Sequence, residues 1–287
     1  MERLRLAGHA LEAVSIGGLE TAIALPEWKL AFDIGRSPPE VVLRDSVLFT
    51  HGHMDHMGGV AYHAATRALR HMRRPTYLIP PAYEADFEAL FEVWKRLDRS
   101  TVEHVTVPIS PGEEHRLPNG ILVRPFRTYH TAPSQGYALV ARREKLLPEL
   151  AHLEGPEIAR RRRAGETVTR AVDTVEVAYC GDTTIEVLER EPLARSARLL
   201  ILETTFVDER VSVEEARGKG HVHLDELAER AELVTSEAIL LHHFSARFKA
   251  DEILAALDRR LPPGLRERVT PLLGSHRGHR WESVGER

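Results

Sequence analysis

The chain has 287 residues, 43% of them hydrophobic, a formal net charge of -4 at pH 7 and one cysteine. That length can bury a substantial core as one large α/β domain or two small ones, and with no tandem repeat or low-complexity linker to divide the chain, one is expected. The charge excludes a wholly basic nucleic-acid binder but not a local basic face, and the lone Cys180 excludes an internal disulfide framework or a multi-thiolate zinc site, so nitrogen and oxygen must hold any metal.

The opening stretch, MERLRLAGHALEAVSIGG, lacks the uninterrupted apolar core of a signal peptide, and nowhere do about 18 apolar residues run together. A soluble cytoplasmic protein with no membrane partner is therefore expected. Extended, β-rich runs follow at residues 21–35, 46–50, 76–80, 104–109, 121–130, 136–142, 174–182, 197–206 and 237–245. Between them, helical periodicity places Ala61, Ala64, Ala65, Ala68, Leu69 and Met72 on one face, and Phe87, Leu90, Phe91, Trp94 and Leu97 on another. Leu224, Leu227, Ala228, Ala231 and Val234 make a third stripe, and Ile253, Leu254 and Leu257 a fourth; all four read as core-packing faces. Strands clustered first, with strand–helix alternation near the end, predict two sheets covered by helices. Residues 143–173 are polar, arginine-dense and poor in alternating apolar positions, and read as an insertion protruding from the domain.

The chemistry concentrates in HGHMDH, residues 51–56, at the carboxyl end of the predicted strand SVLFT. A sharp turn there can aim His51, His53, Asp55 and His56 into one small volume, as a borderline-soft divalent cation requires. A polar loop with incidental histidines is the bland alternative, and the density of metal-competent side chains argues against it. One loop cannot complete two coordination spheres, so further ligands are expected at other strand ends. The chain offers His130 after FRTY, Asp182 in CGDTT, and His242 or His243 in LLHHF. Each terminates an apolar run, where a core-facing strand meets a crevice.

This ordered set, HxHxDH, a later His, Gly-Asp-Thr and a final His, resembles the metallo-β-lactamase fold, a four-layer αββα sandwich of the α/β class. The resemblance implies one metal held by His51, His53 and His130, a second by Asp55, His56 and His243, and Asp182 bridging them. Imidazole content favours two zinc ions over magnesium, with manganese or iron also compatible.

Further segments narrow the branch. SIGGLETAIALPEWKLAFDIG, HMDHMGGV, SQGY, GDTT, LETTF, GHVHLDELA and LHHFSARF resemble, in order and spacing, ribonuclease Z in its short, plant-like form, over roughly residues 12–273. That likeness implies an endoribonuclease that cuts tRNA precursors at the 3′ side with a metal-activated hydroxide, working as a homodimer. Asp55, a candidate ligand within reach of the attacking water, is expected to orient it and accept its proton, and the likeness implies Glu203 with His221 as the pair that protonates the leaving group, His223 being the competing histidine. Arg247, with Ser134 and Gln135 beside it, falls where the likeness places substrate-phosphate contacts. The insertion at 143–173 falls where relatives carry a tRNA-gripping arm. Its five arginines against two glutamates within 156–170, Arg160, Arg161, Arg162 and Arg163 among them, suit phosphate contact. Residues 1–273 are thus expected to form the hydrolase domain and 274–287 a flexible tail. Two rival readings stand beside this one: another hydrolase on the same metals, such as a small-molecule phosphodiesterase or lactonase-like esterase, and a metal-stabilised RNA-binding protein without catalysis.

Overall fold

The computed structural model describes residues 1–100 and 102–276. Its first sheet takes the strands in chain order: β1 (Glu2–Leu6), β2 (His9–Ile16), β3 (Glu20–Leu25), β4 (Leu30–Ile34), β5 (Ser46–Leu48), β6 (Thr76–Ile79) and β7 (Val105–Pro108). The pairs from β1 to β4 are antiparallel and those from β4 to β7 parallel. The second sheet runs β14-β13-β12-β11-β10-β9-β8, with β8 (His115–Arg116), β9 (Leu122–Arg127), β10 (Gln135–Leu146), β11 (Thr169–Tyr179), β12 (Leu199–Glu203), β13 (Ala238–His242) and β14 (Val269–Pro271). Here β8 to β11 pair antiparallel, and β11 to β14 parallel.

Alternation along the strands builds the layers. In β3, Ile23 and Leu25 join the core between the sheets, where they meet Leu139, Tyr179, Ile201 and Leu240, while Ala22 and Ala24 face the helices outside. Three short or medium helices cover that outer side: α1 (Pro39–Val42), α3 (Val60–Leu69) and α4 (Glu84–Asp98), with α2 (Met54–Met57) at the strand ends. The outer face of the second sheet carries α6 (Glu186–Arg190), α7 (Pro192–Arg195), α8 (Val213–Gly218), α9 (Leu224–Glu229), α10 (Ala250–Arg260) and α11 (Pro263–Arg266), packed on Leu200, Leu202, Ile239 and Leu241. The architecture is the expected αββα sandwich. Among the described residues no helix is long and apolar enough to cross a membrane.

Three differences from the sequence expectation are informative. The strands β1 and β2 were not foreseen; β1 is an edge strand whose side chains alternate half-buried and exposed, a weak signal for burial. In α3 the buried side holds Val60, His63, Ala64 and Arg67, sharing only Ala64 with the predicted alanine and leucine stripe, and Leu69 is 80% exposed. In α4 only Phe87 and Phe91 are buried, and the rest of the predicted face, Leu90, Trp94 and Leu97, reaches solvent.

Residues 143–173 belong to an extended hairpin. Whereas β9 leaves β10 at Val140, β10 and β11 remain paired out to Leu146 and Thr169, and the connection carries a helix, α5 (Gly155–Arg163). At the other end of the chain, Gly274–His276 form a short turn in which the Gly274 amide donates to Glu2 at 2.7 Å. The remainder of the predicted tail lies outside the described residues.

Candidate active site

Both sheets deliver their strand ends to one edge of the sandwich, tied by the Gly17 amide donating to the Phe244 carbonyl at 3.0 Å. On the first sheet the backbone does the aiming. Asp33 sits in β4 with φ +48°, and this left-handed step interrupts the alternation, keeping Ile34 on the helix-facing side while sending the Asp33 carboxylate inward. There it accepts from the Thr50 amide (2.9 Å), the Thr50 hydroxyl (2.8 Å), the Tyr179 hydroxyl (2.7 Å) and His56 Nδ1 (2.8 Å). The second glycine after HMDHM is forced by proximity: a Cβ on Gly59 would stand 2.3 Å from the Ile34 carbonyl oxygen.

On the second sheet His243 has φ +61°, which separates it from its neighbour His242. His242 stays between the sheets near the Ser15 hydroxyl and the Tyr179 ring, whereas His243 Nε2 lies 3.4 Å from both Asp55 Oδ2 and Asp182 Oδ2. Of the two histidines the sequence offered, His243 therefore faces the cluster. His223 is likewise separated from His221: it caps α9, accepting from the Asp225 amide at 3.2 Å, while His221 Nδ1 meets Glu203 Oε1 at 2.8 Å.

Candidate ligand atoms of His51, His53, His130 and Asp182 lie within 4.8 Å of one another, and so do those of Asp55, His56 and His243. Asp182 touches both groups, with Oδ1 3.3 Å from His56 Nε2 and Oδ2 3.8 Å from His51 Nε2. The protons identify which nitrogens are free. Thr50 donates its hydroxyl proton to Asp33, so it can only accept from His51 Nδ1, at 3.0 Å. Thr205 donates its hydroxyl to Glu203 Oε2 (2.8 Å) and accepts from His243 Nδ1 (2.9 Å). His56 Nδ1 donates to Asp33, and His130 Nδ1 to the Gly220 carbonyl at 2.8 Å. The opposite nitrogens of these four rings are turned into one space, and with Nδ1 committed to its acceptor it is Nε2 that would ligate a metal. His51 Nε2 and Asp182 Oδ1 are buried without a hydrogen-bond partner, as ligand atoms would be in the absence of their ion. The donor set fits divalent cations held by imidazole and carboxylate.

Electrostatics follow from the crowding. Burial holds His51 well below the usual histidine range, reinforced by its neighbour His56. Burial opposes charge on His56 too, but Asp182 and Asp33 flank it and push it well above that range. For Asp182, burial is outweighed by His243 and His56, which keep the carboxyl ionised. His221 is disfavoured as a cation by its burial, yet Glu203 more than compensates and raises it to about 9. Glu203 itself is fully buried and accepts from the Thr183, Val222 and Thr205 amides as well as from His221.

The remaining expected residues are more scattered. The Arg247 guanidinium carbon lies 5.7 Å from the centroid of Phe206, its Nε donating to the Ser245 hydroxyl. Ser134 accepts from the Thr128 hydroxyl, and Gln135 is buried with its amide donating to the Tyr137 hydroxyl, which commits that amide to the interior of the sheet. On α5, Arg160 and Arg161 pair with Glu157, whereas Arg162 and Arg163 form no ion pair among the described residues. Sequence reasoning passed over Asp33 and Thr205. An acid at the end of an apolar strand was the available signal for Asp33; nothing in the LETTF run singles out the second threonine.

An edge where two seven-stranded sheets supply a histidine and aspartate cluster defines a hydrolase of the β-lactamase superfamily, and residues 33–244 match the Beta-lactamase superfamily domain. Among curated proteins, the chain is 41% identical to tRNase Z TRZ1 of Arabidopsis thaliana, over 94% of this chain and 96% of that one. It is 37% identical to the chloroplastic tRNase Z TRZ2 of the same plant, over 94% of this chain and 76% of that one. The chain belongs to the tRNase Z family, the ribonuclease Z branch of this superfamily. Solved structures agree on the fold: the short form of human tRNase Z superposes with a TM-score of 0.56 at 18% identity, covering 83% of this chain and 93% of that one. The metallo-β-lactamase fold protein YhfI from Bacillus subtilis does so with a TM-score of 0.60 at 14% identity, covering 90% of this chain and 92% of that one.

Proposed function

We propose that this chain is a metal-dependent endoribonuclease that removes the 3′ extension of tRNA precursors. The observation that carries this reading beyond a generic hydrolase is the Glu203–His221 contact at 2.8 Å, placed beside the histidine and aspartate cluster in a member of the tRNase Z family. A proton donor for a poor, alkoxide-type leaving group is what a ribonucleotide 3′ oxygen demands.

In this reading His51, His53 and His130 hold one divalent cation, Asp55, His56 and His243 a second, and Asp182 both, zinc being the ion that suits the donors best. Bound cations of this kind supply a water acidic enough to attack at neutral pH and positive charge for the phosphoryl oxygens. Asp55 Oδ2, at the cluster and 3.4 Å from His243 Nε2, orients the attacking water and accepts its proton. On the far side of the phosphorus, His221 delivers a proton from Nε2 to the leaving oxygen while Glu203 holds Nδ1–H and stabilises the imidazolium. Arg247 offers a planar fork of donors to a phosphate. The hairpin of β10 and β11 with α5 serves as the arm that reaches the tRNA body, with Arg162 and Arg163, which form no ion pair among the described residues, available to its phosphates.

The exposed apolar face made by Tyr62, Leu90 and Trp94, around a pocket of about 450 Å³ that also takes in Met54 and Met57, supports self-association into a dimer. The deciding experiment is to incubate the metal-loaded protein with a 3′-extended tRNA precursor and map the new 3′ end. A single cut after the last retained nucleotide is expected; hydrolysis of bis(p-nitrophenyl) phosphate without any cut in the precursor would overturn the proposal.

A further inference from the structure

Phe206 carries two cations. Lys219 Nζ lies 5.6 Å from the centroid of its ring and the Arg247 guanidinium carbon 5.7 Å from the same point. The ring itself is 4% exposed and meets His221 edge-on at 6.0 Å between centroids. The segments bearing the two cations are fixed to the strand end that precedes Phe206. The Ser245 amide, two residues before Arg247, donates to the Thr205 carbonyl at 3.0 Å, and the Leu224 amide donates to the Phe206 carbonyl at 2.8 Å. Lys219 closes α8, and the turn after it brings the Gly220 carbonyl onto His130. That turn needs glycine: Gly220 has φ +77°, and a Cβ there would stand 2.6 Å from His130 Nδ1.

The aromatic ring attracts each cation weakly, on the order of 1 kcal/mol at an exposed site, but it neutralises neither charge. Nearby Arg210 shows the usual resolution: it lies 4.4 Å over the Phe248 ring and is paired with Asp208 and Glu252. Lys219 and Arg247 form no ion pair with an acid among the described residues, and both side chains are exposed. Two unpaired cations gathered over one ring, beside the leaving-group histidine, are complementary to an anion from solution.

We infer that Lys219 and Arg247 form a two-cation clamp, seated on Phe206, for a backbone phosphate of the RNA, and that Lys219 is a specificity-determining residue for polynucleotide over small diester. The inference rests on the nuclease reading above. Because His221 protonates the leaving 3′ oxygen, the phosphate beside it is the one at the 5′ side of the last retained nucleotide, which a mononucleotide-like diester does not possess.

The test compares wild type with Lys219→Met, which keeps the aliphatic stem on the ring but removes the charge, and with Lys219→Arg, which keeps both. Each is assayed for kcat/KM on a 3′-extended tRNA precursor between about 50 and 200 mM salt, and on bis(p-nitrophenyl) phosphate. In Lys219→Met the precursor rate is expected to fall roughly tenfold at the lower salt, several-fold more than the small-diester rate, with the salt slope reduced by about 1. Lys219→Arg is expected to retain the wild-type slope. An unchanged slope in Lys219→Met, or equal losses on both substrates, would reduce Lys219 to a prop for Phe206 and overturn the clamp while leaving the nuclease reading intact. A wild-type protein that leaves the precursor uncut overturns both.

Discussion

At the scale of single residues, the site is organised by where each proton goes. Four histidine rings spend one N–H on a fixed acceptor, Thr50, Asp33, Gly220 or Thr205, and direct the other nitrogen into the cluster. His221 is built the opposite way, with Glu203 loading it with a proton that it retains up to about pH 9. A donor of this kind is competent below its pKa and is lost as the pH rises through it. In Glu203→Gln the stabilising carboxylate is gone and only the burial that disfavours the cation remains, so the alkaline limb of kcat/KM on the precursor is expected to move to lower pH by at least one unit. An alkaline limb that stays in place would separate Glu203 from the proton donor. The ligand candidates were legible in the sequence because HGHMDH is contiguous and the other three each close an apolar run. Asp33 was not, since its role depends on a left-handed step that turns its side chain to the other face of the strand.

At the scale of elements, α3 explains why helical periodicity gave the strands' partners but the wrong buried face. Its inward side carries His63 and Arg67, polar residues that find partners only after folding. His63 Nδ1 meets the Tyr77 hydroxyl at 2.9 Å and Nε2 the Val41 carbonyl at 3.1 Å, while Arg67 donates to the carbonyls of Val42, Arg44 and Arg73 and to Asp45. Of the alanine and leucine stripe that reads as core, Ala64 is buried as expected, while Ala68 and Leu69 face solvent. Burial, aided by the Arg67 charge, lowers His63 from 6.5 to about 4. The unfolded chain binds a proton there that the folded chain refuses. The contribution of neutral His63 is therefore whole above about pH 6.5 and is lost as the pH falls towards 4, by up to ~3 kcal/mol. Urea midpoints measured at pH 7 and pH 4.5 are expected to differ less in His63→Leu than in wild type, even though that variant is weaker at pH 7 for want of the Tyr77 contact. Equal pH sensitivity in the two proteins would show that other groups govern acid lability.

For the whole molecule, the fold class followed from the order of strands and helices together with the metal motif, because both sheets draw on runs apolar enough to read as strands. What the sequence could not reveal is which apolar side chains the folded chain leaves uncovered. Tyr62, Leu90, Trp94 and Leu97 are 65%, 38%, 43% and 68% exposed on the helices that cover the first sheet. If this face joins two copies, Trp94→Glu combined with Leu97→Glu is expected to sediment as a monomer at concentrations where the wild type is a dimer, with its far-ultraviolet circular dichroism unchanged. A wild type that sediments as a monomer would remove the face from consideration as a self-contact.

The division of the ligand candidates between the two halves of the sandwich has one more consequence. His51, His53, Asp55 and His56 follow strands of the first sheet, and His130, Asp182 and His243 follow strands of the second, the chain passing from one to the other through the open turn at Gly112. Neither half owns a complete set of donors. An ion seated among them would act as a rivet across the seam, and mineral supply would then govern how firmly the two leaves of the sandwich are held shut as well as whether the chemistry runs.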